Sequence, residues 1–312
     1  MKELLAYFRR FHQEYYNRKA YGLSLLFIAG LITLNYSIDL EDSIIDPYAG
    51  TAWHFFLFFV LHLFAFLGVF FLFQCFGKSI RKPTRNAWIK IMLGFSILAL
   101  DRSFTGHRDW VMAASSPETF RYLYKIAHNL LPLLTVFLPM LVLLFLFDRH
   151  LQDGFYGLRL KHTKLGIYWL MLAGMVPLVF AASWLPDFME YYPVYRRSGG
   201  AAFAEAMQWP GWVVRSIYET AYLMNFIFVE MLFRGLLVIG LSRMLGGNVV
   251  MAMAATYAVY HFGKPIGETI SSVFGGYILG VIALYTRNIY GGIFLHGGIA
   301  LLMELFAFMH YS

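Results

Sequence analysis

The chain has 312 residues, of which 59% are hydrophobic and 14% charged, with a formal net charge of +7. Soluble domains carry about 25% charged residues, so this composition excludes a soluble globular protein and fits a polytopic membrane protein embedded in the lipid bilayer. The basic residues flank apolar runs, which marks them as topological determinants and argues against a nucleic-acid partner.

Residues 1–19 place Lys2, Arg9, Arg10, Arg18 and Lys19 among Leu4, Leu5, Tyr7, Phe8, Phe11, Tyr15 and Tyr16. The pattern predicts an amphipathic helix lying at the membrane interface, not a cleavable signal peptide. Apolar runs then predict spans at about 20–38, 51–76, 87–100, 127–147, 166–184, 211–243, 248–262, 268–286 and 289–309. The 87–100 run is short, so the expected fold is an all-α polytopic membrane protein with about eight or nine transmembrane helices. Cys75 is the only cysteine, which rules out an intramolecular disulfide.

The connections alternate in charge. Asp39, Glu41, Asp42 and Asp46 follow the first span; Lys78, Arg81, Lys82 and Arg85 follow the second; Arg149, Arg159, Lys161 and Lys164 come later. By the positive-inside rule the N-terminus and the basic loops are cytoplasmic, as expected for a protein of the plasma (inner) membrane. Two long connections, 101–126 and 185–210, then fall on the outer side. The second holds Pro186, Pro193, Gly199, Gly200 and Pro210, and it marks an organisational boundary. Residues 1–19 form the interfacial segment, 20–210 the N-terminal transmembrane helices with their outer loops, and 211–312 a C-terminal core dotted with polar groups.

Within that core, Phe228-Val229-Glu230-Met231-Leu232-Phe233-Arg234-Gly235 sets a carboxylate and a guanidinium one helical turn apart in an apolar run. A bare charge at mid-membrane costs roughly 2.5 kcal/mol or more on insertion scales. A Glu and Arg at i, i+4 partly offset that cost by facing each other. Two histidines lie within the apolar runs that follow, His261 and His296. At 1.5 Å per residue, Glu230 and His261 each lie about 20 Å from the cytoplasmic helix ends, and His296 roughly 12 Å. A buried carboxylate beside an imidazole can act as general base toward a trapped water, and a second imidazole can donate to the resulting oxyanion. Glu230, His261 and His296 are also a possible zinc set. No H-E-x-x-H helix is present, so the expectation is no cofactor, with zinc as the alternative.

Glu230-x-x-x-Arg234-Gly235 resembles the second half of the E-E-x-x-x-R motif of the CAAX protease and bacteriocin-processing (abortive-infection-like) intramembrane peptidases. Tyr257-x-x-x-His261 resembles that family's F-x-x-x-H. Phe274-Gly275-Gly276-Tyr277-Ile278-Leu279-Gly280, followed by Ile293-Phe294-Leu295-His296, resembles its glycine-rich helix and its final H-x-x-x-N. The ordered set covers roughly residues 215–305. The resemblance implies a metal-independent intramembrane endopeptidase acting near the cytoplasmic side on a peptide or the end of a membrane protein. It implies Glu230 as the water-activating base or its close partner, His261 as its assistant, His296 as the oxyanion donor and Arg234 as the residue holding Glu230. The pattern departs at two positions: Val229 stands where the family has its first Glu, and Ala300 where it has Asn. Adjacent helical positions point about 100° apart, so Glu230 does not simply replace a carboxylate at 229. A backbone donor or a protonated Glu304 can in principle stand in for the Asn.

Two other readings compete. One is a catalytically inactive family member serving as a membrane scaffold or binding a membrane protein partner. The other is a transporter with an ionisable site near the midplane, against which stand the missing inverted repeats and Gly/Pro-broken helix pairs. Several polar or small residues have simpler readings. Tyr257 is expected to pack against the site, and Gly275, Gly276 and Gly280 to let helices approach. His54 and His62 read as packing or interhelical hydrogen bonding, Arg215 and Glu219 as interfacial, and Asn225 as a weak support for Glu230. Lys264 and Glu268 flank a Pro265–Gly267 turn and read as solvated.

Overall fold

The computed structural model describes residues 2–149, 154–159 and 165–311; Met1 and the basic-loop residues Lys161 and Lys164 lie outside them. Among the described residues the fold is all-helical, with one isolated bridge between Phe155 and Leu158 and no strand. In chain order the helices are α1 (Lys2–Tyr15), α2 (Arg18–Ile38), α3 (Ala52–Phe76), α4 (Arg85–Ser103), α5 (His107–Ala114), α6 (Pro117–Asp148), α7 (Gly166–Ala182), α8 (Pro186–Tyr191), α9 (Gly200–Met207), α10 (Gly211–Leu245), α11 (Val249–Val259), α12 (Ile266–Thr286) and α13 (Tyr290–Met309).

By length and composition, six of these can cross a membrane: α2, α3, α6, α10, α12 and α13. Helices α7 and α11 are apolar but shorter. Among the described residues, six helices thus meet the length of a span and two shorter apolar helices lie beside them, where eight or nine spans are expected from the sequence. The 87–100 run is part of a complete helix, α4, whose apolar surface is interrupted by Lys90, Asp101 and Arg102.

The long outer connections expected at 101–126 and 185–210 are largely helical. Ser116 and Thr119 form a capping box with Pro117 in the first turn, so α6 starts ahead of the apolar run at 127. Its first turns carry Glu118, Arg121, Lys125 and His128, and these polar residues hide the helix from a hydropathy reading. The second connection contains α8 and α9. At the N-terminus α1 lies against α12: Tyr7 stacks on Tyr285 with centroids 5.5 Å apart, and Phe11 meets Tyr277 edge-on at 5.7 Å.

Helix α10 is the centre of the bundle. Its most apolar window is 78% buried, against 22% to 50% for the other five long helices. Every residue of α11 is buried, as expected of a helix that is hydrophobic all round. It packs on α3, α10 and α12, so protein surrounds it and it has no need of a full bilayer length. Gly276 and Gly280 of α12 permit the contact: a Cβ would meet Ala254 and Tyr257 at 3.2–3.5 Å at the first, and Met253 and Val250 at 2.8–2.9 Å at the second. Helix α13 packs on α7 and α10.

Past Glu230, α10 opens into wide π-type turns over Met231–Gly240, a geometry often found at functional sites. A buried polar cluster clamps this stretch from outside. Lys90 Nζ donates to Asp148 Oδ2 and, at 3.0 Å, to the Gly240 carbonyl. Tyr156 Oη donates to the same Asp148 oxygen at 2.6 Å, while a Cβ on Gly235 would lie 2.9 Å from the Tyr156 carbonyl. Removing one partner of a buried ion pair strands the other. Lys90→Met is expected to lower stability by about 3–5 kcal/mol. Lys90→Met combined with Asp148→Asn should regain most of it, as read by equilibrium unfolding in detergent micelles.

Candidate active site

Glu230 and Arg234 are 0% and 1% exposed. Arg234 Nη1 donates to Glu230 Oε1 at 2.8 Å, and Nη2 reaches the Gly275 carbonyl at 3.4 Å. The guanidinium carbon lies 4.3 Å from the Tyr257 ring centroid, a cation–π contact. One cation thus ties α10 to α11 and α12. The anion ties α10 to α13: Glu230 Oε1 accepts from His296 Nδ1 at 3.2 Å. A carboxylate can only accept here, so Nδ1 carries the proton and the neutral ring leaves Nε2 as acceptor. Tyr257 Oη sits 3.2 Å from that Nε2, suited to donate to it. Gly292 makes the Glu230 contact possible, since a Cβ there would lie 2.3 Å from Oε2.

His261 sits in the turn between α11 and α12. Its Nδ1 donates to the Tyr257 carbonyl at 2.8 Å, which fixes Nε2 as the acceptor of the neutral ring. Gly263 takes a positive φ of 75°, open to glycine without strain, and turns the chain there. Thr269 Oγ1 donates to the His261 carbonyl at 2.7 Å, and Tyr36 Oη from α2 donates to the Lys264 carbonyl at 2.6 Å. The turn that carries the ring is therefore held by three helices.

A cavity of about 430 Å³ opens among α7, α10, α12 and α13. That volume is typical of a small-ligand pocket. Met171, Met175, Leu178, Leu279, Ile299 and Met303 give it an apolar wall, and Ala300 faces it too. Its polar lining comes from Tyr192, Tyr222, Arg234, Tyr257, His261, Lys264, Glu268, Ser271, Ser272 and His296. Glu230 is not among the lining residues.

The expected site residues thus divide. Arg234, His261 and His296 reach one cavity, whereas Glu230 stands behind it as the partner of Arg234 and His296. Val229 is buried in the apolar core and does not line the cavity. Among the described residues no group of three or more His, Cys, Asp or Glu side chains is arranged to hold a metal ion. His62 Nδ1 donates to the Phe58 carbonyl at 2.8 Å, and His54 Nε2 lies 3.3 Å from Asp46 Oδ1.

Lys264 and Glu268 overturn their sequence reading. They are not solvated: their side chains are 24% and 11% exposed, paired at 2.7 Å, and they line the cavity. Tyr192 Oη, from the 185–210 connection, donates to Glu268 Oε2 at 2.8 Å. The i, i+4 spacing of Lys264 and Glu268 was the available signal; the cover supplied by Tyr192 had none. Tyr257 likewise does more than pack, since its hydroxyl faces both His296 and the cavity.

Fold and site together define an all-α integral membrane protein with a charged cavity built into its C-terminal helices. The family model described as Rce1-like, type II CAAX prenyl endopeptidase Rce1-like, matches residues 201–302, a span that contains Glu230, Arg234, His261, Glu268 and His296. This match supports membership of the CAAX protease family, and so a protease at the level of the family. No curated protein and no solved structure matches the chain.

The packing at Gly292 gives a direct test of how Glu230 is held. Gly292→Ala is expected to displace the carboxylate and to destabilise the protein by about 1–3 kcal/mol through overpacking. Thermal unfolding in detergent checks it, with Gly275→Ala as the control, because a Cβ at 275 would meet nothing within 4 Å.

Proposed function

We propose that the protein is an intramembrane endopeptidase whose cavity holds a peptide carbonyl between His261 and His296. The observation that carries this reading is the meeting of both imidazoles in one largely apolar cavity of about 430 Å³. His261 Nε2, an acceptor facing the cavity, holds the attacking water. Tyr257 Oη, which the His296 Nε2 acceptor holds in place, turns its proton to the oxyanion and stabilises it. Glu230 orients His296, and Arg234 holds Glu230. Both are positioning residues. The substrate is a peptide or the end of a membrane protein, and no zinc takes part.

The positive-inside pattern supports a cytoplasmic N-terminus, and we take the plasma membrane as the host bilayer. On that orientation the Tyr192–Glu268 end of the cavity faces outward, with the 185–210 connection. We therefore place the scissile bond near the middle of the membrane, deeper than the cytoplasmic mouth.

One observation favours a second reading, a catalytically inactive member acting as a scaffold. Val229 and Ala300 are apolar where the motif has Glu and Asn, and Glu230 is sealed from the cavity. A single assay separates the two readings. The protein in proteoliposomes is offered an internally quenched peptide library. Wild type is expected to cleave, and His261→Ala and His296→Ala to lose about 10²–10³ in kcat. No cleavage by wild type supports the scaffold. Cleavage that survives 1,10-phenanthroline keeps zinc out of the mechanism, and loss of activity brings it in.

A further inference from the structure

Among the described residues lining the cavity, Glu268 is the one carboxylate. The other buried acids of the C-terminal core are engaged elsewhere. Glu230 Oε1 serves Arg234 and His296, and its Oε2 abuts Gly292. Glu304 accepts the Val194 and Tyr195 amides at 2.6 and 3.3 Å. Glu219 pairs with Arg215 at 3.9 Å, outside the cavity wall.

Glu268 occupies the first turn of α12, where the helix dipole favours an anion. Each of its oxygens has one donor, Lys264 Nζ on Oε1 and Tyr192 Oη on Oε2. A carboxylate has about four lone-pair sites, so two remain for other donors. His261 Nε2 lies 3.8 Å from Oε1. Both atoms are acceptors when the ring is neutral, so they do not bond directly to each other. Two acceptors at this separation take the two hydrogens of one water lying about 2.8 Å from each. A water so held points its free lone pair away from both, toward the cavity.

We propose, resting on the peptidase reading, that Glu268 is the carboxylate that activates this water, with His261 as its second acceptor. The water oxygen bonds to the peptide carbonyl carbon as one of its protons passes to Glu268. The oxyanion forms on the side of Tyr257 and His296. The C–N bond then breaks, and the proton on Glu268 passes to the leaving nitrogen. One water is consumed, a carboxyl and an amine are released, and nothing is oxidised or reduced. Lys264 is a positioning residue that fixes the Glu268 rotamer.

The test uses the full-length protein in proteoliposomes and a quenched peptide cleaved by wild type. Glu268→Gln is expected to lower kcat at least 100-fold with KM within threefold. Lys264→Met removes the positioning contact and leaves the carboxylate in place, so kcat should fall about tenfold, well short of the Glu268→Gln loss. Equal losses in Glu268→Gln and Lys264→Met would mean a structural ion pair and overturn the proposal. Cleavage by Glu268→Gln within tenfold of wild type, with His261→Ala inactive, would overturn it and leave the peptidase reading standing. If no peptide is cleaved by wild type, this proposal and the peptidase reading fall together. A Glu268→Gln protein that has lost its wild-type thermal transition is replaced by Glu268→Asp, for which the proposal expects reduced kcat with unchanged KM and unchanged kcat overturns it.

Discussion

The burial of one guanidinium shapes the C-terminal half of the molecule. Arg234 is always charged and sits in the most buried helix of the bundle, 1% exposed. A cation in that setting requires an anion and further acceptors, or the desolvation penalty is uncompensated. It takes Glu230 from its own helix, the Tyr257 face from α11 and the Gly275 carbonyl from α12. Glu230 in turn takes His296 from α13. The relative positions of four helices follow from satisfying one side chain.

That arrangement yields two carboxylate–histidine pairs with different surroundings. Glu230 and His296 are packed behind glycine and guanidinium, and only the imidazole reaches the cavity. Glu268 and His261 both reach it, 3.8 Å apart with no shared proton. The residue types are the same, so composition and motif do not separate them. Access does. A carboxylate closed off on every side can orient a neighbour, while one open to a cavity can also exchange a proton with what enters. The proposed division of labour between Glu230 and Glu268 follows from this difference alone.

Much of the architecture was legible because lipid imposes a simple rule: an apolar run of about twenty residues makes a span. The rule worked for α2, α3, α10, α12 and α13, whose outer faces are apolar. It failed where protein replaces lipid as the neighbour. The start of α6 packs among α5, α9 and α10 through Thr119, Tyr122 and Asn129 and leaves Arg121 and His128 exposed, so hydropathy placed the helix too late. Helix α11 is shorter than a span because α3, α10 and α12 enclose it. The candidate site divides along the same line. Glu230, Arg234, His261 and His296 stood out as ionisable groups in apolar runs. Lys264 and Glu268 sit beside a proline–glycine turn, which ordinarily signals solvent. Their burial depends on Tyr192, a contact across 76 positions that has no local signature.

Val229 and Ala300 now have a physical context. Val229 is packed in the apolar core, so a carboxylate there would need its own partners, and Arg234 is already committed to Glu230. Ala300 lines the cavity with a single methyl group, which adds volume and removes an amide donor from the wall. Tyr257 Oη lies within reach of His296 on the same cavity and supplies a donor there. A departure from a motif removes a side chain from one position; it removes the chemistry only when no neighbour presents the same group to the same space. Here the cavity still faces one carboxylate, two imidazoles and three phenols. The assignment of Glu268 as the base therefore turns on whether Glu268 and His261 share a water, and not on the two positions where the motif is broken.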